Sequence, residues 1–228
     1  MKDVEDLLSN RLLMVARLVK PCESIYDIGT DHCYLPIYMI QKGIIKRAVA
    51  TDVKKGPVQI ALRNINIFGL DTYIDVFVSD GISHVGQDSN IIISGMGADV
   101  IIEILTEGIH YAKNANQIII QCQSKTERLR SFLWDNGFYI EEEALCKEKD
   151  KVYNAFRVSY CGVKQIYTEI ETIASKKLVK MHHPLLTDYI SCHIRKLEDI
   201  ISGYKASNVV FSNEEELKRA LEEINENN

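Results

Sequence analysis

Between residues 24 and 123 the chain repeats one arrangement, a short β-branched run followed by a segment long enough for a helix. The runs read SIYDI (24–28), RAVATD (47–52), YIDVFVSD (73–80), NIIISGMG (90–97) and QIIIQCQ (117–123). Strands this continuously apolar need cover on both faces, and the intervening segments can cross over as helices and supply it. The pattern predicts an α/β fold built on a mostly parallel sheet with helices on both faces. At 228 residues the chain can bury a real core and suits a medium domain with an appendage.

The flanks read differently. Val4, Leu7, Leu8, Leu12, Val15, Leu18 and Val19 recur at helical spacing before Pro21, which predicts one amphipathic helix over 4–19. After the fifth run, YIEEEALCKEKDKVYNAFRVSY offers two extended stretches around KEKDK with no room for a helical crossover. That predicts an antiparallel hairpin at the sheet edge. Beyond residue 162 the character is helical. Ile166, Ile170 and Ile173 begin one stripe, HHP at 182–184 interrupts it, and Leu186, Ile190, Ile194, Leu197, Ile201 and Tyr204 form a second. A last helix fits SNEEELKRALEEI, with Ser212 and Glu215 at capping-box spacing and Leu217, Leu221 and Ile224 on one face. The expected organisation is an α/β domain over 1–161 and a small helical, coiled-coil-like domain over 162–228.

Composition removes several classes. A formal net charge of -5 offers no global basic field, so any nucleic-acid partner must meet a local patch. The six cysteines, at 22, 33, 122, 146, 161 and 192, are scattered with no C-x-x-C pair, which reads as reduced thiols in a cytoplasm. The first residues are charged and no apolar run approaches the about 20 residues of a membrane span. A soluble protein with no membrane partner is expected, a monomer being favoured.

The strand ends carry the chemistry. They read Asp27-x-Gly29, Asp52, Asp80-Gly81 and Ser94-Gly95-Met96-Gly97. In an open parallel sheet ligands bind beyond the carboxyl ends of the strands, so these four segments should line one crevice. Gly29 lets backbone approach a ligand closely. Asp52, 25 residues after Asp27, can accept hydrogen bonds from ribose hydroxyls, and Asp80 can accept from an adenine amino group. Each feature alone is an ordinary turn or helix cap; together they describe a site. A dinucleotide enzyme should show G-x-G-x-x-G at the first turn, whereas this turn reads GTDHCY, with Asp31 where a pyrophosphate would sit. S-adenosylmethionine has ribose and adenine but no phosphate, and its ammonium and sulfonium favour carboxylates. It is the expected cofactor. His32 has no second ligand at metal spacing, so it reads as a pocket imidazole and no metal is expected.

The stretches LSNRLLMVARLV, DIGTDHCYLP, ATDVKKGP, SDGI and IIISGMGADVI, with the helical C-terminus, resemble the bacterial tRNA (adenine-22-N1)-methyltransferases, a class I S-adenosylmethionine-dependent family. The resemblance runs over nearly the whole chain in order. It implies a Rossmann-like catalytic domain, a C-terminal coiled-coil domain that helps hold tRNA, and transfer of a methyl group to N1 of adenine 22. Carried over position by position, it sets Asp27, Gly29 and Asp31 around the methionine part of the cofactor, with His32 and Tyr34 beside the pocket. Asp52 would hold the ribose, and Asp80 and Gly81 the adenine. The loop Ser94, Gly95, Met96, Gly97 would abut the target base, with Ser94 also near the cofactor. Two departures stand out: Ala98 where the family commonly has Gly, and Gln121-Cys122 where it has Gln-Pro. The missing proline removes a rigid turn.

Adenine N1 carries an in-plane lone pair and needs alignment more than a strong base. Its methylated product is cationic, so Asp31 or the backbone of 94–97 is expected to stabilise the developing charge. Tyr34 is the expected platform for the extruded base. Arg11, Lys54, Lys55, Arg63, Lys176, Lys177, Lys180, Arg195 and Lys196 are available for phosphates. Two other readings stay open: a methyltransferase for another RNA, a protein or a small molecule, and a non-catalytic RNA-binding protein on the same fold.

Overall fold

The computed structural model describes residues 4–206 and 212–227, with the side chains of Ala206 and Ser212 outside the description. Strands β1 (Cys22–Ile28), β2 (Ile45–Asp52), β3 (Ile74–Val78), β4 (Asn90–Met96) and β5 (Gln117–Cys122) are parallel. A hairpin of β6 (Phe138–Glu148) and β7 (Lys151–Tyr160) completes a seven-stranded sheet of order β3-β2-β1-β4-β5-β7-β6. The chain starts in the middle of the sheet and winds outward twice, and β7 enters antiparallel between β5 and β6. This is the Rossmann-like sheet with an antiparallel hairpin that the sequence pattern predicts.

The isoleucine runs explain the layers. Ile92 of β4 and Ile119 of β5 point to one face, where they pack with Val15, Ile37 and Ile65 from α1 (Asn10–Leu18), α2 (Tyr34–Gln41) and α3 (Lys55–Phe68). Their neighbours Ile91, Ile93, Ile118 and Ile120 point to the other, against Ile101, Leu105 and Leu133 of α4 (Ala98–Glu107) and α6 (Thr126–Asp135). Short α5 (Ile109–Lys113) follows α4 on that face. Each isoleucine so buried contributes about 1.5–3 kcal/mol, and a polar residue on either face would forfeit it.

The single N-terminal helix expected over 4–19 is two elements. A 3-10 turn at Glu5–Leu7 ends in extended Leu8, and α1 begins anew behind Ser9, whose hydroxyl accepts from the Leu12 amide. The cap satisfies an orphan N–H and restarts the helix, which apolar spacing alone does not reveal.

The C-terminal region also departs from its pattern. Residues 161–168 carry no helix and Ile166 is fully exposed, so it belongs to no stripe. A capping box fixes the start instead: the Thr168 side chain caps α7 (Glu169–Ile173) while Glu171 accepts from the Thr168 amide at 2.8 Å. Then come α8 (Lys176–Lys180), α9 (Leu186–Ala206) and α10 (Ser212–Glu226). Leu186, Ile190 and Leu197 of α9 share a core with Leu221 of α10, and a Glu198–Lys218 ion pair at 3.2 Å crosses between them. The expected Ser212 capping box rests on a side chain outside the described residues.

Beneath α7 lies a charged core. Arg130 of α6 is wholly buried and meets Glu143 of β6, itself 1% exposed, at 3.1 Å. The same guanidinium donates to the carbonyls of Thr172 and Ile173 and lies 4.9 Å from the Phe156 ring centroid, while Ser175 donates to Glu143 at 2.7 Å. A buried pair is tolerable only when its remaining donors and acceptors are met, and here α7 and α8 supply much of that completion.

Candidate active site

The turn after β1 folds toward β2. Gly29 and Thr30 both donate their amides to the Thr51 carbonyl at 2.8 Å, and Gly29 has φ +75°. That left-handed φ favours glycine, and a Cβ there would lie 2.1 Å from the Met96 methyl, the flexible end of a side chain that would have to move. Asp27 lies just before it, 5% exposed, and burial pushes its carboxyl up to about 6 against a hydrogen bond to Thr30. Asp31 is the opposite case, with a side chain 73% exposed and an oxygen 3.2 Å from His32 Nε2. The His32 ring stacks on Tyr34 at 5.4 Å with planes 18° apart, and Asn64 donates to the His32 carbonyl at 2.8 Å.

At the end of β2, Asp52 Oδ1 accepts from the Lys54 amide at 2.8 Å. The residue fixes the strand-to-helix turn with that oxygen and lines a cavity. After β3, Ser79 meets His84 Nδ1 at 3.0 Å and donates its amide to the Asp52 carbonyl at 3.1 Å, which sets Asp80 and Gly81 beside Asp52. The end of β4 is bulged. Its register with β5 shifts between Ser94 and Met96, Gly95 has φ +84°, and the Gly95 amide donates to Gln121 Oε1 at 3.1 Å. The bulge turns Met96 back over Gly29.

Two cavities meet at Gly29. One, of about 420 Å³, gathers Asp27, Asp31, His32, Tyr34, Ser94 and Gly95. The other, of about 210 Å³, gathers Asp52, Asp80, Gly81 and Met96. Gly97 lines neither; it starts α4, and a Cβ on it would come 3.0 Å from Ser124 Oγ. Ala98 is fully buried at the first turn of α4, and the Cys122 thiol donates to the Ser124 carbonyl at 2.9 Å, so both departures sit in packed backbone behind the crevice.

Sequence reasoning missed part of the first lobe. Arg11, expected among phosphate contacts, turns its Nη1 onto Gln121 Oε1 at 2.8 Å, and Gln123, Thr30 and Glu148 also line the lobe. The pairing of residues 11 and 121 leaves no local trace, although the polar Gln121 directly after an isoleucine run was a usable signal. Two of the expected phosphate contacts are engaged elsewhere. Lys177 donates to the carbonyls of Ile140 and Glu141 at 3.0 and 2.6 Å, and Lys176 pairs with Glu171 at 2.6 Å, both near the start of β6 at the far end of the sheet. A cavity of about 460 Å³ lies there too, but its buried acid, Glu143, is already held by Arg130 and Ser175. Among the described residues no cluster of three metal-ligating side chains occurs, and no helix is long and apolar enough to cross a membrane.

Residues 8–156 match the model of the methyltransferase domain family. The tRNA (adenine(22)-N(1))-methyltransferase of Bacillus subtilis is 30% identical over 64% of this chain, and the match spans 62% of that enzyme. A Mycoplasma genitalium protein, provisionally named a tRNA methyltransferase, is 30% identical over 82% of this chain and 87% of its own length. The Streptococcus pneumoniae protein Sp1610, a candidate tRNA (m1A22) methyltransferase solved with S-adenosyl-L-methionine, superposes with a TM-score of 0.83 at 29% identity, covering 96% of this chain and 99% of that one. On a 3-2-1-4-5-7-6 sheet whose strand ends line two cavities joined at Gly29, the chain belongs to the methyltransferase domain family.

Proposed function

We propose that this protein transfers a methyl group from S-adenosylmethionine to N1 of adenine 22 in tRNA, and so acts in the cytoplasm. The observation that carries the reading is the pair of lobes joined at Gly29, with Asp52 and Asp80 in one and Asp27 and Asp31 in the other. The residues suit the cofactor: acids face where hydroxyls, an amino group and an ammonium need acceptors, and a glycine stands where the backbone must be approached. When bound, the cofactor supplies an electrophilic methyl group.

The chain's own residues do the rest. Asp52 accepts from the ribose with its free oxygen, and Asp80 and Gly81 meet the adenine. Asp27 and Asp31 flank the methionine end. Tyr34, already held face to face with His32, offers a platform for the extruded target base. Ser94, Gly95 and Met96 border the reacting atoms, with Gly97 behind them fixing the start of α4. Adenine N1 attacks through its own lone pair, so the site aligns the partners and excludes water. Asp31 lies on the open side of the lobe, where it stabilises the positive charge that develops on the base. We assign residues 1–161 to catalysis and 162–228 to a helical unit that helps hold tRNA.

The test is methyl transfer from labelled cofactor into tRNA transcripts with adenine or guanine at position 22. Labelling confined to the adenine transcript is expected. Equal labelling of both would remove the position assignment, and labelling of neither would remove the RNA.

A further inference from the structure

The cavity of about 460 Å³ at the start of β6 lies apart from the crevice. β7 runs antiparallel to β5, so its last residues and their β6 partners at 138–140 stand at the opposite end of the sheet from the crevice. Much of the lining is aromatic. The Trp134 ring centroid is 4.9 Å from that of Tyr167, and the ring of Tyr139, a residue 44% exposed, lies 4.9 Å from the Lys177 ammonium. Gln165 joins them with its Nε2 held by the Val163 carbonyl at 2.8 Å, which leaves its amide oxygen as an acceptor.

The acids lining the cavity are matched, and two of its cations are not. Glu143 is held by Arg130 and Ser175, and Glu171 by Lys176 and the Thr168 amide. Nearby, Glu141 pairs its carboxylate with Lys20 and Arg157, and Asp135 accepts from the Tyr167 hydroxyl at 3.1 Å; neither lines the cavity. Lys177 spends its donors on two carbonyls and the Tyr139 hydroxyl, and no carboxylate among the described residues neutralises it. Lys180, on the same face of α8, makes no hydrogen bond or ion pair among the described residues. Aromatic rings beside unmatched lysines suit a base and its phosphate, whereas an aliphatic peptide side chain would leave both the rings and the charge unused. We infer that this cavity is a nucleotide site, with the base against Tyr139 and Tyr167 and the phosphate at Lys180, within the field of Lys177. A free nucleotide and an unpaired nucleotide of an RNA offer the same chemistry. The site does not depend on the reaction proposed for the crevice.

Trp134 is the single tryptophan of the chain, so its fluorescence reports on this cavity. With the full chain at low salt, adenosine monophosphate is expected to quench it saturably, while adenosine and ribose phosphate bind at least about tenfold more weakly. Lys180→Gln changes an exposed side chain, so the fold should survive it. In that variant adenosine monophosphate should bind about 3- to 10-fold more weakly, with adenosine unchanged. No quenching, equal affinity for adenosine and its monophosphate, or an affinity unaltered in Lys180→Gln each overturns the inference. So does quenching that saturating S-adenosylmethionine removes, which would place the nucleotide in the crevice instead. A tRNA transcript that displaces adenosine monophosphate identifies RNA as the source, and a transcript without effect identifies the free nucleotide.

Discussion

Arg130 and Arg11 both reach oxygens supplied by distant segments, yet their surroundings differ in kind. Arg130 is wholly buried and donates to Glu143 and to two carbonyls of the chain around α7, all of them part of the protein. Arg11 is half-buried, held at one nitrogen by Gln121, and shares an open lobe with an acid 73% exposed. In the first place charge is matched by the fold; in the second it borders an open cavity. Residue type does not separate the two, since each holds an arginine and carboxylates. Burial together with the identity of the partner does.

The sharpest way to break this comparison is Arg130→Met. Removing one partner leaves Glu143 buried and uncompensated, so stability should fall by about 3–5 kcal/mol. Urea unfolding measures the loss, and affinity for S-adenosylmethionine should stay within about twofold. If affinity fell with stability, the junction and the crevice would not be separate devices.

Next in size is the pH response of the crevice. Burial raises Asp27 to about 6, so in the free protein its acid form is favoured only below that pH. Its contribution to stability is full below the ordinary carboxyl range and is lost as pH rises through 6. A cationic end group wants the ionised form. Cofactor affinity should therefore climb about tenfold per pH unit up to about 6 and level off above it, with a proton released on binding at lower pH. Calorimetry in buffers of different ionisation enthalpy reads both quantities. Asp27→Asn should flatten the profile, and a profile unchanged in that variant would remove Asp27 from the site. The smallest effect belongs to Lys176→Gln. Its pair with Glu171 leaves the lysine side chain 77% exposed, and stability, cofactor affinity and methyl transfer should each stay near wild type, the first within about 0.5 kcal/mol by thermal melting.

Much of the sheet could be read from the chain because β4 and β5 are isoleucine runs buried on both faces, the mark of a parallel sheet covered by helices. The crevice followed, because a parallel sheet brings its strand ends together whatever lies between them. What escaped reading was set by single polar contacts. Ser9 breaks an apolar helical pattern by capping Leu12, and Thr168 with Glu171 starts α7 two residues after Ile166 has left the core. Arg130 sits in a helix segment, TERLR, that looks solvated, and only its contacts 13, 42 and 43 residues away reveal a core position. Arg11 and Gln121 are 110 residues apart, so the wall of the first lobe is invisible to any local pattern.

The N-terminal helix docks late in the sequence's own order. The Arg11 amide donates to Glu148 and Asn10 donates to the Lys147 carbonyl, each across 137 residues. During synthesis at roughly 5–20 residues per second, about ten seconds separate the emergence of the two partners. Until then the lobe lacks a wall that Arg11 and Glu148 complete. The first lobe thus gains its Arg11 and Glu148 wall only after the β6 strand has left the ribosome.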